Sequence, residues 1–146
     1  MKQISTLLIF LISLSNTFAQ DKVLDELEIL TNRNDFKAIT EEYSVDYGGF
    51  SAKSLYYVGL AFYMTENDAE CLKFMDLSIL KDDQYEGAHF IKASTLNYMG
   101  KYGEAVEHFK TAIALKADRA EFHSGLGDAY YALEQLDLAL VSYVKA

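Results

Sequence analysis

Few residues in this chain have types and spacings that could do chemistry. His89 and His123 could hold a metal ion, Cys71 could act as a nucleophile, and the acidic pairs Glu41-Glu42 and Asp82-Asp83 could share acid and base roles. Gly125-Leu126-Gly127 could open a phosphate loop. None of these develops into a site. A nucleotide loop needs a preceding strand and a third glycine, and both glycines here fall inside a helical pattern, where their role is close packing. Adjacent acidic residues on a helix do not face each other, so neither pair forms an acid and base, and both read as solvated surface. Cys71 is the only cysteine and has no histidine or second ligand beside it in sequence, which predicts a buried, inert thiol and no intrachain disulfide.

The two histidines lead to the organisation of the chain, because they stand 34 residues apart and so does much else. Gly59, Ala93 and Gly127 share that interval, as do Phe62, Leu96 and Tyr130, then Cys71, Ala105 and Ala139. Met75, Phe109 and Tyr143 form a fourth column, and Ser78, Ala112 and Ala146 a fifth. A fixed period of this length is the mark of a solenoid of helix pairs. The small columns allow two helices of a pair to cross closely, and the bulky columns three or four residues away fill the space around each crossing. Equivalent positions on successive repeats lie about 8 to 10 Å apart, one helix-packing distance, which is too far for His89 and His123 to share a metal ion. The pattern predicts helix pairs at 22–31 with 35–46, 52–65 with 69–80, 86–99 with 102–115, and 119–132 with 136–146. Gly48-Gly49, Asp82-Asp83 and Gly100 supply the breaks.

These residues resemble the tetratricopeptide repeat family. Leu126, Gly127, Tyr130, Ala139, Tyr143 and Ala146 occupy the family's signature positions in the stretch from Ala120 to Ala146. The preceding unit keeps Ala93, Gly100, Tyr102, Ala105, Phe109 and Ala112, with Lys92 in place of the preferred Leu and Ala117 in place of a frequent Pro. The unit from Ala52 to Tyr85 carries Leu55, Val58, Gly59, Phe62 and Cys71, with Met75 where an aromatic is usual. A degenerate copy precedes it, with Val23, Leu27, Leu30, Phe36, Ile39 and Tyr43 at a spacing of 32 and Glu26 on the Leu position. The resemblance implies an all-α solenoid of about four antiparallel helix pairs over residues 20–146, the last without a capping helix.

In that family the first helix of each pair lines a concave groove. Carried onto this chain, the groove-facing positions are Lys53, Tyr56, Leu60 and Tyr63, then Gly87, Phe90, Ser94 and Asn97, then Glu121, Ser124, Asp128 and Tyr131. The aromatic members Tyr56, Tyr63, Phe90 and Tyr131 are the expected anchors, since such rings give large contact area at small entropic cost. The family's grip on a terminal carboxylate needs Lys, Arg and Asn, whereas this chain offers Tyr56, Leu60, Ile91, Glu121 and Gly125 at those places. The resemblance therefore implies a scaffold that binds a protein or peptide by another mode, with no cofactor and no catalytic role.

Residues 1–19 are a different kind of segment. Lys2 precedes an uncharged run with an apolar centre from Ile4 to Leu14, and Thr17-Phe18-Ala19 sets small residues before a cut. That order predicts a secretory signal peptide cleaved after Ala19 and a periplasmic or secreted, bacterial protein. The apolar centre is well short of the ~20 residues that span a bilayer. The chain carries 13 basic and 22 acidic residues, and loss of Lys2 with the leader leaves a net charge of −10. Nucleic acid and anionic lipid are poor partners for that surface, and a protein segment with apolar and basic residues suits it better. Leu136, Leu140, Tyr143 and Val144 form an apolar stripe on the last helix with no following repeat to cover it, which predicts self-association. The alternative is that these repeats are the docking part of a longer receptor or enzyme.

Overall fold

The computed structural model describes residues 22–146, so the expected leader lies outside the described residues. Among the described residues the secondary structure is helical throughout. Residues 22–32 form α1, followed by α2 (Phe36–Glu42), α3 (Ala52–Met64), α4 (Asp68–Lys81), α5 (Glu86–Tyr98), α6 (Tyr102–Leu115), α7 (Ala120–Ala132) and α8 (Leu136–Lys145). Within pairs, α3 packs on α4, α5 on α6 and α7 on α8. Between pairs, α4 meets α5 and α6 meets α7, while α3, α5 and α7 are successive neighbours on one side. This is the solenoid that the 34-residue period requires.

The columns behave as expected in the interior. Gly59, Ala93, Cys71, Ala105 and Ala139 are buried, and Phe62, Leu96, Met75 and Phe109 close around them. Cys71 is fully enclosed, its Sγ 3.2 Å from Thr95 Oγ1, and burial pushes the thiol up to about 11, so it stays protonated and inert. The outer pair departs from the pattern. Tyr143 is 40% exposed, against 0% for Met75 and 1% for Phe109 in the same column, because among the described residues α8 packs on α7 alone.

The turn inside each pair is a repeated device. Asn34, Glu66, Gly100 and Glu134 all have positive φ, between 52° and 76° together with Asp46, and they are spaced by 32, 34 and 34 residues. At each, the following amide reaches back to the helix: Asp35 N to Leu30 O, Asn67 N to Phe62 O, Lys101 N to Leu96 O and Gln135 N to Tyr130 O, all at 2.9 Å. With the companion bonds from Asn34, Glu66, Gly100 and Glu134, these are four Schellman caps. The first pair shares the design at an offset of 32 residues in place of 34.

One boundary differs from expectation. The second helix stops at Glu42, not at residue 46. Residues 43–46 bend, and Asp46 takes φ 52°, because the chain must turn Tyr47 and Phe50 inward. Tyr47 meets the buried Phe74 ring edge-on at 4.9 Å, and Tyr43 donates to Glu26 Oε2 at 2.7 Å. Those contacts tie the degenerate pair to α4 and α1, and a straight helix to residue 46 would forgo them.

Candidate functional site

The first helices α3, α5 and α7 present an open groove of about 580 Å³. Tyr63 from α3, Phe90, Ser94 and Asn97 from α5, and Glu121, Ser124 and Asp128 from α7 line it, all of them positions carried over from the family pattern. Tyr98, Phe109, Ala120 and Gly125 complete the wall together with Ala146. The helices bring these residues together because positions 4 and 7 apart share a helix face, and the small Gly125 lets the Phe109 ring rise to the groove floor.

The remaining sequence-derived candidates stand apart from this cavity. Lys53 is tied to Glu28 of α1 at 2.6 Å, with its ammonium 5.9 Å from the centre of the Tyr57 ring. Tyr56 is half-buried in an aromatic cluster, 5.1 Å from Tyr85 and 5.4 Å from Tyr57, and burial raises its hydroxyl. Gly87 makes room for it, since a Cβ there would come 3.1 Å from the Tyr56 ring. Leu60 packs on the first core cluster. Tyr131 is 64% exposed and sits with Leu136 at the α7–α8 turn. Phe90 has two duties: it lines the groove, and it packs 4.8 Å from Phe122 and 6.0 Å from Phe109, joining the two core clusters. Tyr98, exposed on the groove rim, was absent from the sequence-derived set because it falls one place past Asn97 on the template.

The groove is electrostatically one-sided. Among the described residues its charged side chains are Glu121 and Asp128, with no lysine or arginine. Arg119 lies beside Glu121, its Nε donating to Oε1 at 2.6 Å, and that bond holds the Glu121 carboxyl below its usual range. Asp128 has no such cation; its Oδ1 accepts the Tyr143 hydroxyl at 2.7 Å. Ser94 Oγ donates to Phe90 O, while Asn97 Oδ1 has no donor within the protein.

The histidines resolve differently from any metal reading. His89 Nε2–H donates to the Asp83 carbonyl at 3.1 Å, and His123 Nε2–H donates to the Ala117 carbonyl at 3.1 Å, the same bond one repeat later. With Nε2 protonated, His89 Nδ1 accepts, and its donor is His108 Nδ1–H of α6 at 3.2 Å. Burial, then the Lys92 ammonium and His89, hold His108 down to about 4. The shared repeat position of His89 and His123 thus serves the turn between repeats, and sequence reasoning missed His108 because it lies off the repeat column. Among the described residues, no three His, Cys, Asp or Glu side chains are grouped to hold a metal ion, and no helix is long and apolar enough to cross a membrane.

Comparison with known proteins fits this architecture. Residues 93–134 match a family described as TPR repeat, the tetratricopeptide repeat. No curated protein matches the sequence. Among solved structures, MamA is similar with a TM-score of 0.72 at 18% identity, over 86% of this chain and 75% of that one. YrrB, described as a TPR protein with an unusual peptide-binding site, gives 0.73 at 17% identity over 82% of this chain and 62% of that one. The first TPR domain of Spaghetti, bound to the HSP90 peptide SRMEEVD, gives 0.64 at 21% identity over 65% and 75%. The matched repeat at residues 93–134 and the solenoid shared with these structures support a tetratricopeptide repeat protein.

Proposed function

We propose that this chain is an exported interaction scaffold that holds a segment of another protein in the groove along α3, α5 and α7. The observation that carries the reading is the groove itself, where rings and hydrogen-bonding groups from three successive repeats converge on one open cavity: Tyr63, Phe90 and Tyr98 beside Ser94, Asn97 and Asp128. Its volume lies in the ordinary range for binding clefts. The Spaghetti domain holds a peptide and YrrB is described by a peptide-binding site, and the shared fold lends the same use to this groove. Export rests on the charge, apolar run and small residues of positions 1–19. Self-association is a second reading, favoured by the exposed Leu136, Leu140, Val141 and Val144 of α8.

Two measurements test the main reading. Crosslinked capture from the exporting compartment should fall at least ~10-fold, a loss of about 1.4 kcal/mol, when Tyr63→Ser is combined with Tyr98→Ser, with helical circular dichroism unchanged. Undiminished capture by the double variant refutes the groove. Mass spectrometry of the exported protein should find Gln20 first; Met1 in that fraction refutes the leader.

A further inference from the structure

Among the described residues, every charged side chain on the groove wall is acidic. Glu121 shares its charge with Arg119, which leaves Asp128 as the wall carboxylate without an ion pair among the described residues, where it accepts the Tyr143 hydroxyl. Across the same cavity stand the Tyr63 and Tyr98 rings, and Phe90 and Phe109 form its apolar floor. An acidic segment such as the tail of SRMEEVD would meet Asp128 and Glu121 as like charges. A purely apolar side chain would strip water from Asp128, a loss that no new bond offsets.

A long cationic side chain meets all of these demands. Its methylene stem can lie along Phe90 while its head reaches a carboxylate and aromatic faces, and its N–H groups need acceptors only. We infer that the groove selects a protein segment carrying a lysine or arginine, whose stem covers Phe90 and whose cationic head sits between Asp128 and the Tyr63 and Tyr98 rings. This rests on the reading that the groove holds a protein segment. It is the reverse of a carboxylate grip: the protein supplies the anion and the partner the cation. The acidic net charge of the chain adds a long-range attraction for the same class of partner.

The probes are three acetylated, amidated hexapeptides, Ser-Leu-X-Leu-Ser-Gly, with X as arginine, norleucine or glutamate. They are titrated into ¹⁵N-labelled protein of residues 20–146 at moderate ionic strength. The arginine peptide should shift the Asn97 side-chain amide and the Ser124 and Asp128 backbone amides saturably. The norleucine peptide should bind at least ~10-fold more weakly, and the glutamate peptide should leave these signals in place. Asp128→Asn keeps an acceptor for Tyr143 and should remove at least ~10-fold of the arginine peptide's affinity, and Tyr98→Ser should weaken it without altering the fold. Equal saturation by the arginine and norleucine peptides overturns the cation inference while leaving a peptide groove intact. Shifts by the arginine peptide that scatter over the acidic surface, ignore Asp128→Asn and vanish with salt overturn it as well. If none of the three peptides moves a groove signal at millimolar concentration, the groove reading falls with it.

Discussion

Gly59 and Gly127 occupy the same repeat column, so a template treats their substitution alike, but their surroundings predict opposite outcomes. In each, alanine gains about 1 kcal/mol of helix propensity over glycine. At Gly59 a new Cβ would stand 3.0 Å from Phe74 Cβ and press into Met75 Cε. Phe74 and Met75 are fully buried, and Phe74 Cβ is fixed to its backbone, so neither has free space to enter. Overpacking of that kind costs about 1 to 3 kcal/mol, and Gly59→Ala should therefore lose about 1 kcal/mol net, with an upper end near 2. At Gly127 the three atoms nearest the new Cβ, 2.5 to 3.0 Å away, all belong to the Tyr143 ring. That ring is 40% exposed and can swing outward, giving up its bond to Asp128, an exposed hydrogen bond of about 0.5 to 1 kcal/mol. Gly127→Ala should thus be close to neutral. The two variants should differ by about 1 to 2 kcal/mol, or ~4 to 8 °C in melting temperature for a domain of this size. Urea and thermal unfolding followed by circular dichroism measures both. Equal losses, or a larger loss at Gly127, would refute the argument that the neighbour's freedom to move sets the cost.

Gly125→Ala should behave like Gly59→Ala, since its Cβ would enter the ring of Phe109 at 2.5 Å and that ring is buried. At the repeat turns, Glu66→Gly and Glu134→Gly should each raise stability by up to ~1 kcal/mol by relieving left-handed backbone, whereas Gly100→Ala should lower it by about the same amount; unfolding midpoints decide. Stability should also fall in acid. His108 is held down to about 4 from 6.5, so the unfolded chain takes up the proton first: no penalty exists above pH 6.5, and it accumulates as pH falls toward 4. For this half-buried ring the loss should be about 1 to 2 kcal/mol, and His108→Gln should flatten that part of the pH profile. Light scattering should find dimers or larger species for residues 20–146, and Leu140→Glu with Val144→Glu, at positions 64% and 79% exposed, should return the protein to a monomer.

The repeat was legible because packing demands recur with it. Wherever two helices cross, a small residue must face a bulky one, so Gly59, Ala93 and Cys71 wrote the fold into the sequence at a fixed interval. Gly100 likewise declared its turn. Glu66 and Glu134 adopt the same left-handed cap, yet glutamate carries no mark of that conformation, and only the hydrogen bonds of neighbouring amides reveal it. The end of α2 was hidden for a related reason: Tyr43 and Tyr47 fit a helical pattern, but their partners Glu26 and Phe74 lie on other helices.

The sequence by itself therefore determined the helix pairs, their order and their register, since these follow from local periodicity and nearest-neighbour packing, whereas the side on which the first helices lie came from the family resemblance. Tertiary structure decided how free each ring remains in the groove. Tyr56 is occupied by Tyr85 and Gly87, Phe90 and Tyr63 line the cavity while packing on the core, and Tyr98 stands exposed at its rim. It also paired His89 with His108 and left Asp128 without a cation. A repeat template fixes where each side chain begins, but what it touches depends on neighbours from other repeats whose identities the template leaves open.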